Sequence, residues 1–283
     1  MTVTNVVNVD RGGLKFHMQI NSVPGLVSNS VIIEGENEVV LIDTPFLISD
    51  GKELADRVKA IGKKLKSILI THAHPDHYGT MPVFQEAFPD TPILARQPVI
   101  DGISEWPAKQ LHWQDMYGDL MAFEIKMPAV LEGDHLEVDG RQIQIVDLPP
   151  AETVHATAFY MPQEKAFIAG DLAFESTHLY MADTNNPVAW LKALDNVRKL
   201  GPIDLLFPGH GNIGGIEILD QTASWLDFYH ETAKPGVRFT EIAKAMYQKF
   251  PDYGLPIVLW LTRGPSFGLG GPVEAGVPPE VLG

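Results

Sequence analysis

The sequence predicts an α/β fold, and two observations lead to that prediction. Apolar, β-prone runs alternate along the chain with stretches in which apolar residues recur at helical spacing, a pattern typical of a sheet covered by helices. Several of the apolar runs also lead directly or within three residues to a His or an Asp, where a strand would open into a loop. No run is long enough to span a membrane.

The first part of the chain has the order strand, strand, strand, helix, strand, helix. The predicted strands are residues 14–20, 30–34, 38–43 and 67–70, and the predicted helices are residues 50–61 and 81–88. Residues 35–37 separate the second and third strands and indicate a hairpin. In the first helix, Leu54, Val58 and Ile61 share one apolar face.

The second part repeats this alternation. A hairpin is predicted over residues 134–147, because Asp139-Gly140 is a strong two-residue turn signal. The helix at 187–200 has Asn186 as its predicted N-cap and Pro187 in its first turn. Further predicted strands are residues 166–170 and 203–207, and further predicted helices are residues 216–232 and 240–250.

Four potential metal ligands lie within six positions just after the strand at 67–70. They are His72, His74, Asp76 and His77, and imidazole and carboxylate groups in this combination suit zinc or a neighbouring first-row metal. His72 and His74 alternate, so both can face one way, whereas Asp76 and His77 follow Pro75 and can face another. This geometry favours two adjacent metal ions over one.

Composition excludes several classes of protein. The 283 residues carry a net charge of −15, which disfavours nucleic acid as a partner. The short basic stretch at 63–66 is interpreted as a solvated helix end. The absence of cysteine excludes disulfides and thiolate ligands. No signal peptide is visible, so we expect a cytoplasmic protein that acts on a small molecule, without a membrane partner.

The His-x-His-x-Asp-His motif after a strand resembles the hallmark of the metallo-β-lactamase superfamily, and the resemblance extends over about residues 14–215. It implies a four-layer αβ/βα sandwich with the metal site at one edge between two sheets. No linker rich in Ser, Thr and Gly interrupts residues 14–250, so we expect one domain over residues 1–283. Two segments fit the pattern less well: an insertion at about 97–132, and a tail rich in Gly and Pro at about 266–283.

Three further positions match the family pattern in order. The resemblance implies that Asp171, in Gly170-Asp171, bridges the two metals and that His210, after Gly209, is the last ligand. It also implies that Asp43, at the end of a strand, buttresses the loops around the metals. A plain strand-end Asp that begins a turn is the alternative for Asp43.

The remaining ligand position departs from the commonest family pattern, which has a His there. Aligning residues 157–160 with the family strand places Glu152 at this position, as in alkylsulfatase-like members, and Glu is an acceptable zinc ligand. His155 is the rival, because a shift in the loop would bring its imidazole in instead. If Glu152 is the ligand, His155 is expected on the pocket wall or behind the ligands.

The resemblance therefore implies a complete dinuclear set. Metal one takes His72, His74 and Glu152, metal two takes Asp76, His77 and His210, and Asp171 is shared. The expected cofactors are two divalent ions, most simply Zn²⁺, with Mn or Fe as alternatives. Asp76 is expected to have the catalytic role of orienting a metal-bridging hydroxide that attacks the substrate.

Besides His155, four aromatic or imidazole side chains are candidates for substrate binding. His112 and Trp113 lie in the insertion, which is rich in aromatic residues and Met, and either line a lid or pack the insertion onto the main body. His178 and Tyr180 follow the bridging Asp and either donate hydrogen bonds to the substrate or lie on the surface.

The function predicted from these observations is metal-dependent hydrolysis of an ester, lactone or amide bond, β-lactams included, in a small and partly apolar substrate. One alternative is alkylsulfatase-like hydrolysis of a sulfate ester. The other is an iron-dependent oxidoreductase of the same superfamily. A homodimer is compatible with the sequence.

Overall fold

The computed structural model describes residues 4–105, 117–122 and 124–262, and within these it contains two β-sheets. The first sheet has seven strands in sequence order. They are β1 (Asn5–Arg11), β2 (Leu14–Ile20), β3 (Asn29–Glu34), β4 (Glu38–Ile42), β5 (Lys64–Leu69), β6 (Ile93–Ala95) and β7 (Ala129–Val130). The second has the order β12-β11-β10-β9-β8. Its strands are β8 (His135–Val138), β9 (Arg141–Leu148), β10 (Ala156–Met161), β11 (Ala166–Phe174) and β12 (Leu205–His210).

The described helices flank these sheets. They are α1 (Ile48–Ile61), α2 (Pro75–Tyr78), α3 (Met81–Ala87), α4 (Gln97–Ser104), α5 (Pro187–Val197), α6 (Glu217–Thr232), α7 (Phe239–Lys249) and α8 (Pro256–Leu261). Among them, none combines the length and the apolar character that crossing a bilayer requires.

Strand pairing changes from antiparallel to parallel where a helix connects two neighbouring strands. Strands β1 to β4 pair antiparallel through hairpins, and α1 then carries the chain over so that β5 lies parallel to β4. In the second sheet the hairpins β8–β9, β9–β10 and β10–β11 are antiparallel, and α5 precedes β12, which lies parallel to β11. The carboxyl ends of β4, β5, β11 and β12 therefore open toward one edge.

Three apolar cores separate four layers. One core joins the two sheets and contains, for example, Phe16 and Phe207, whose ring centroids are 5.3 Å apart. A second joins the first sheet to α1, α3 and α4, and a third joins the second sheet to α5, α6, α7 and α8. Helices thus cover the outer face of each sheet, which confirms the predicted α/β class and the αβ/βα sandwich.

Most predicted elements are confirmed within a few residues. The hairpin turn has Asp139 and Gly140 in left-handed conformation, and the Asn186 side chain caps α5 by accepting a hydrogen bond from Ala189 N at 3.0 Å. The interpretation of residues 63–66 as a helix end is wrong: Gly62 ends α1, and Lys64 already begins β5.

Several elements were not predicted or were assigned differently. Strand β1 was missed, because its residues are mostly half-buried or exposed and give no apolar run. Helix α8 was also missed. Part of the predicted insertion belongs to the main body, since α4 packs into the second core and β7 extends the first sheet. The candidates His112 and Trp113, like the tail from residue 266, lie outside the described residues.

Candidate metal centre

Seven His, Asp and Glu side chains converge where the strands of both sheets end. His72 and His74 follow β5, and Pro75 begins α2, whose single turn presents Asp76 and His77. The other three come from the second sheet: Glu152 from the loop after β9, Asp171 from β11 and His210 from the end of β12. All are buried except His74, which is partly exposed.

The donor atoms form two groups. In the first, His72, His74, Glu152 and Asp171 each contribute an atom within 4.8 Å of the others. His72 Nε2 lies 3.9 Å from Glu152 Oε2 and 3.7 Å from Asp171 Oδ2, and His74 Nδ1 lies 2.9 Å from Glu152 Oε1.

The second group consists of Asp76, His77 and His210, again within 4.8 Å of one another. Asp76 Oδ2 lies 3.5 Å from His77 Nε2 and 3.4 Å from His210 Nε2. Asp171 lies between the groups, with Oδ1 3.1 Å from His77 Nε2 and Oδ2 3.3 Å from His210 Nε2. Donor atoms about 2.1 Å from a tetrahedrally coordinated metal ion such as zinc are about 3.4 Å apart, so this spacing is compatible with metal coordination.

Several of these atoms are buried and have no hydrogen-bond partner in good geometry among the described residues. They include His72 Nε2, His77 Nε2, Glu152 Oε2 and Asp171 Oδ1. A buried polar atom without a partner destabilises a fold by about 1–3 kcal/mol, and clustered carboxylates repel each other as well. A divalent cation would satisfy the imidazoles and the carboxylates together, so the residues fit a metal ion.

Each of the four imidazoles is held by a hydrogen bond at the ring nitrogen that faces away from the centre. The pairs are His72 Nδ1 with Thr71 Oγ1 at 2.9 Å, His74 Nε2 with Asp183 Oδ2 at 3.0 Å, His77 Nδ1 with Asp43 Oδ2 at 2.9 Å and His210 Nδ1 with the Leu26 carbonyl at 2.9 Å. Such bonds fix the ring orientation and the tautomer that leaves a lone pair toward a metal.

Asp43 connects the hydrogen bonds that hold His72 and His77. Its carboxylate accepts hydrogen bonds from Thr71 N at 2.8 Å, Thr71 Oγ1 at 2.7 Å and His77 Nδ1. Burial raises the pKa of this carboxyl group, while His77 and Thr71 oppose the rise. Its φ of 61° is tolerated by Asp and Asn better than by most residues. Asp43 therefore supports one imidazole directly and His72 through Thr71.

A strained loop supports His210. Leu26 and Val27 have φ of 65° and 56°, which is costly for a β-branched residue such as Val27. Asp50 holds the start of this loop by accepting hydrogen bonds from Ser22 N at 3.0 Å and Ser22 Oγ at 2.6 Å. The loop thereby presents the Leu26 carbonyl to His210.

Electrostatics in the site are dominated by burial and by the neighbouring ligands. Burial opposes charging of His77, but the Asp171 and Asp76 carboxylates outweigh it and hold the pKa of His77 well above its usual range. Burial, aided by His77, holds the pKa of His72 well below its usual range. Burial raises the pKa of Glu152 to about 8, against the effect of His74. Protons and a metal ion would thus compete for these side chains.

A cavity of about 290 Å³ opens onto the centre. Besides five of the seven clustered side chains and Asp183, its walls are mostly apolar or aromatic. They are formed by Leu26, Phe46, Pro75, Phe174, Tyr180, Val258 and Leu261. The last two belong to α8, which closes one side of the cavity.

The structure brings only some of the predicted substrate-binding residues to this cavity. Tyr180 lines it and meets the His74 ring edge-on, with centroids 5.4 Å apart. His155 does not: it is exposed and lines a separate depression beside Arg96, because its loop turns away after Glu152. Between the two rival side chains, Glu152 is therefore the one that lies in the cluster.

His178, the other predicted substrate-binding residue in this segment, does not line the cavity. Its side chain is buried away from the cavity, where Nδ1 accepts a hydrogen bond from Trp225 Nε1 at 3.2 Å and the ring meets Tyr247 edge-on. Burial lowers the pKa of His178 to about 4. The His178 side chain therefore packs against Trp225 and Tyr247 and accepts a hydrogen bond from the indole N–H.

The sequence analysis did not identify two groups that hold the imidazole rings in place. Asp183 and the Leu26 carbonyl hold ligand imidazoles, yet neither belongs to a motif. The glycines Gly170 and Gly209, which directly precede Asp171 and His210, were a weaker sequence signal that backbone segments approach closely at this site. A side chain at Gly209 would overlap the Asp171 carboxylate, so this glycine permits the close approach of β12.

A two-sheet sandwich with paired His and carboxylate groups at its edge defines a metal-binding α/β protein. The family model described as the metallo-beta-lactamase superfamily matches residues 23–210, and the chain belongs to this family.

Two curated relatives show how diverse the family is. A probable metallo-hydrolase of Streptococcus pyogenes is 25% identical over 174 residues, covering 58% of this chain and 68% of the relative. A linear primary-alkylsulfatase of a Pseudomonas species is 23% identical over 248 residues, covering 69% of this chain and 47% of the relative.

Among solved structures, the metallo-beta-lactamase from Pontibacter korlensis aligns with a TM-score of 0.62 at 20% identity. The alignment covers 80% of this chain and 99% of that one. At this identity the similarity establishes the shared fold.

Proposed function

We propose that this protein is a dinuclear metal-dependent hydrolase that cleaves an ester, lactone or amide bond in a small, partly apolar substrate. The observation that carries the proposal is the pair of donor groups joined by Asp171, at the floor of an apolar cavity. Membership of a superfamily that includes the probable metallo-hydrolase of S. pyogenes supports the reaction class.

His72, His74 and Glu152 would hold one divalent ion, and Asp76, His77 and His210 the other, with Asp171 shared. When bound, the metal pair, which we take to be zinc, supplies a hydroxide at neutral pH and polarises the bond to be cleaved. No Ser or Cys nucleophile is then needed.

The protein side chains position the reactants. The Asp76 carboxylate lies in the second group and also lines the cavity, so it is placed to accept a hydrogen bond from the attacking water and orient it. Burial, followed by the effect of Asp183, raises the pKa of Tyr180, which therefore remains a neutral donor at the cavity wall. Phe46 and Phe174 exclude water from the apolar part of a substrate.

Alkylsulfatase-like hydrolysis is the second candidate. The specific observation in its favour is the carboxylate of Glu152 inside the first donor group, together with the similarity to the Pseudomonas alkylsulfatase. The two candidates differ in the charge of the substrate, since a sulfate monoester is an anion.

The experiment is a metal and substrate screen on the purified protein. Zinc, manganese and iron forms are prepared from metal-free protein and assayed against 4-nitrophenyl esters, lactones, a β-lactam and an alkyl sulfate. Hydrolysis of an ester, lactone or amide that requires two equivalents of metal supports the proposal. Stoichiometric iron with oxidase activity and no hydrolysis would contradict it.

A further inference from the structure

Helix α8 forms a wall of the cavity that the family pattern does not specify. The helix lies outside residues 23–210, the part of the chain that the family model matches. Val258 and Leu261 of this helix nevertheless line the same cavity as the candidate ligands. They are three positions apart, so both lie on one face of the helix. This face is therefore a feature of the site that belongs to the chain beyond the family match.

The composition of α8 indicates what this face contacts. The helix reads Pro-Ile-Val-Leu-Trp-Leu, without a charged side chain. Leu259 and Trp260 are almost fully buried in the third apolar core. Val258 and Leu261 are equally apolar but meet the cavity instead. A helix usually has polar residues where it faces water, because apolar surface in water is unfavourable. An apolar group bound in the cavity would remove this face from water.

Hydrogen bonds hold α8 in place at both ends. At its start, two backbone hydrogen bonds of 2.8 and 2.9 Å join Gly254 to the segment 176–181. At its end, Met181 N donates to Thr262 Oγ1 at 2.9 Å. The same segment carries Tyr180, which lines the cavity. The position of α8 beside the cavity is thus fixed by direct contacts and is coupled to the position of Tyr180.

The backbone just before α8 has an uncommon conformation. Leu255 has a φ of 54°, in the left-handed region that Gly, Asn and Asp adopt more readily than Leu. Such a conformation persists only where the surrounding structure holds it, and it occurs preferentially near functional sites. Here it turns the chain from the paired Gly254 into α8, which then presents Val258 to the cavity.

The volume of the cavity limits the size of the group that it can take. About 290 Å³ corresponds to roughly ten water molecules, each of which occupies about 30 Å³ in the liquid. Part of this space is needed for the bond to be cleaved and for the attacking water. A hydrocarbon group of short to medium length fits the remainder, whereas a long lipid chain does not.

We propose that the site takes esters or lactones with a short- to medium-length hydrocarbon group, which lies against α8, and that Val258 and Leu261 determine the length of that group. This inference rests on the proposed hydrolase function and names its substrate class. Burying one methylene group in an apolar site strengthens binding about fourfold. We therefore expect kcat/KM to rise about fourfold with each added methylene until the hydrocarbon group fills the cavity.

The test uses two series of esters with the zinc-loaded protein. In 4-nitrophenyl acetate, butyrate, hexanoate and octanoate the hydrocarbon group is on the acyl side, and in ethyl, butyl, hexyl and octyl acetate it is on the alcohol side. Each kcat/KM is divided by the rate constant of the same ester with free hydroxide. The slope of this ratio against chain length measures the contact with the hydrocarbon group. A loss of metal or of folded protein in a variant lowers every point equally and leaves the slope unchanged.

Three variants of α8 change the wall in opposite directions. Val258→Ala and Leu261→Ala each remove apolar contact and should lower the gain per methylene to about twofold or less in at least one series. Leu261→Phe takes up cavity space, so the rise should stop at a shorter ester. The control Val188→Ala shortens a side chain that is 55% exposed on α5, and it should leave both slopes unchanged.

Two results would overturn the role of α8. If esters are hydrolysed but the rate does not depend on chain length in either series, the hydrolase proposal stands and this inference fails. If the wild type shows the slope but Val258→Ala and Leu261→Ala leave it unchanged, the hydrocarbon group lies against another part of the site. A slope that falls in these two variants and not in Val188→Ala supports the inference.

A binding measurement separates this inference from the hydrolase proposal. 1-Butanol, 1-hexanol and 1-octanol have no bond to hydrolyse, and their Kd for the zinc-loaded protein is measured by NMR titration. Affinity should rise about fourfold per methylene in the wild type and by less in Leu261→Ala. If no ester is hydrolysed but the alcohols show this dependence, the hydrolase proposal fails and the hydrocarbon site at α8 stands. Equal affinity of the wild type for all three alcohols would overturn the hydrocarbon site.

Discussion

Replacing Asp43 by Asn tests how the hydrogen bonds behind the candidate ligands control the proposed metal centre. The side chain keeps its size, and Asn tolerates the φ of 61° as Asp does. One carboxylate oxygen that accepts from both Thr71 Oγ1 and His77 Nδ1 becomes an NH₂ group, which can only donate. The Thr71 hydroxyl can rotate to accept, but the His77 Nδ1–H then has no acceptor.

His77 must respond by moving its proton to Nε2, the nitrogen that faces Asp76 and Asp171. That tautomer cannot bind a metal through Nε2. Losing one hydrogen bond to a charged acceptor costs about 1.5–3 kcal/mol, which corresponds to roughly a 10- to 100-fold weaker metal affinity. We expect a loss of this size at the site formed by Asp76, His77 and His210.

The assay is a zinc titration against a chromophoric chelator at fixed pH. Asp139→Asn is the matched control, because Asp139 also has a left-handed φ, of 45°, and accepts from backbone amides at Asn37 and Glu38 far from the centre. It should change stability without changing zinc affinity. Equal affinity in wild type and Asp43→Asn, or an equal loss in both variants, would refute the buttressing role.

Three further predictions concern the ligands and the core. Glu152→Ala should lower metal occupancy, measured by elemental analysis, by at least one equivalent, whereas His155→Ala should leave it unchanged; the reverse ranking would reassign the ligand. Asp76→Ala should reduce kcat by at least a hundredfold while the circular dichroism spectrum stays native, and full activity would contradict its role. His178 has a pKa of about 4 in the fold and about 6.5 when unfolded, so the unfolded chain binds the extra proton and stability falls as pH drops between these values, by about 3 kcal/mol in total. His178→Asn should therefore show a flatter pH dependence in urea unfolding, and an unchanged slope would count against this origin.

Much of the fold was predictable, because its strands are buried and its ligand loops follow them. The runs 31–33 in β3 and 39–42 in β4 are continuous apolar segments, and the turns at Gly62 and Asp139–Gly140 carry residues that tolerate a left-handed backbone. Strand β1 lies at a sheet edge with mixed exposure, so neither periodicity nor an apolar run marks it.

The candidate ligands were also predictable, whereas the groups behind them were not. Strand register distinguished Glu152 from His155 as the candidate ligand. Ala156 of β10 pairs with Leu148, which leaves Glu152 in the loop above the centre. Asp183 and Leu26 act through a side chain in a loop and through a backbone carbonyl. Contacts of this kind depend on how the two sheets meet, which local sequence does not encode.

The most direct test of the paired metal centre is anomalous diffraction from crystals of the zinc-reconstituted protein, recorded on both sides of the zinc absorption edge. We expect two peaks per chain, one among His72, His74 and Glu152 and one among Asp76, His77 and His210, with Asp171 between them. Ligand distances should be about 2.0–2.2 Å. The absence of zinc from these side chains in the reconstituted protein, or a peak coordinated by His155 with Glu152 displaced, would contradict the account.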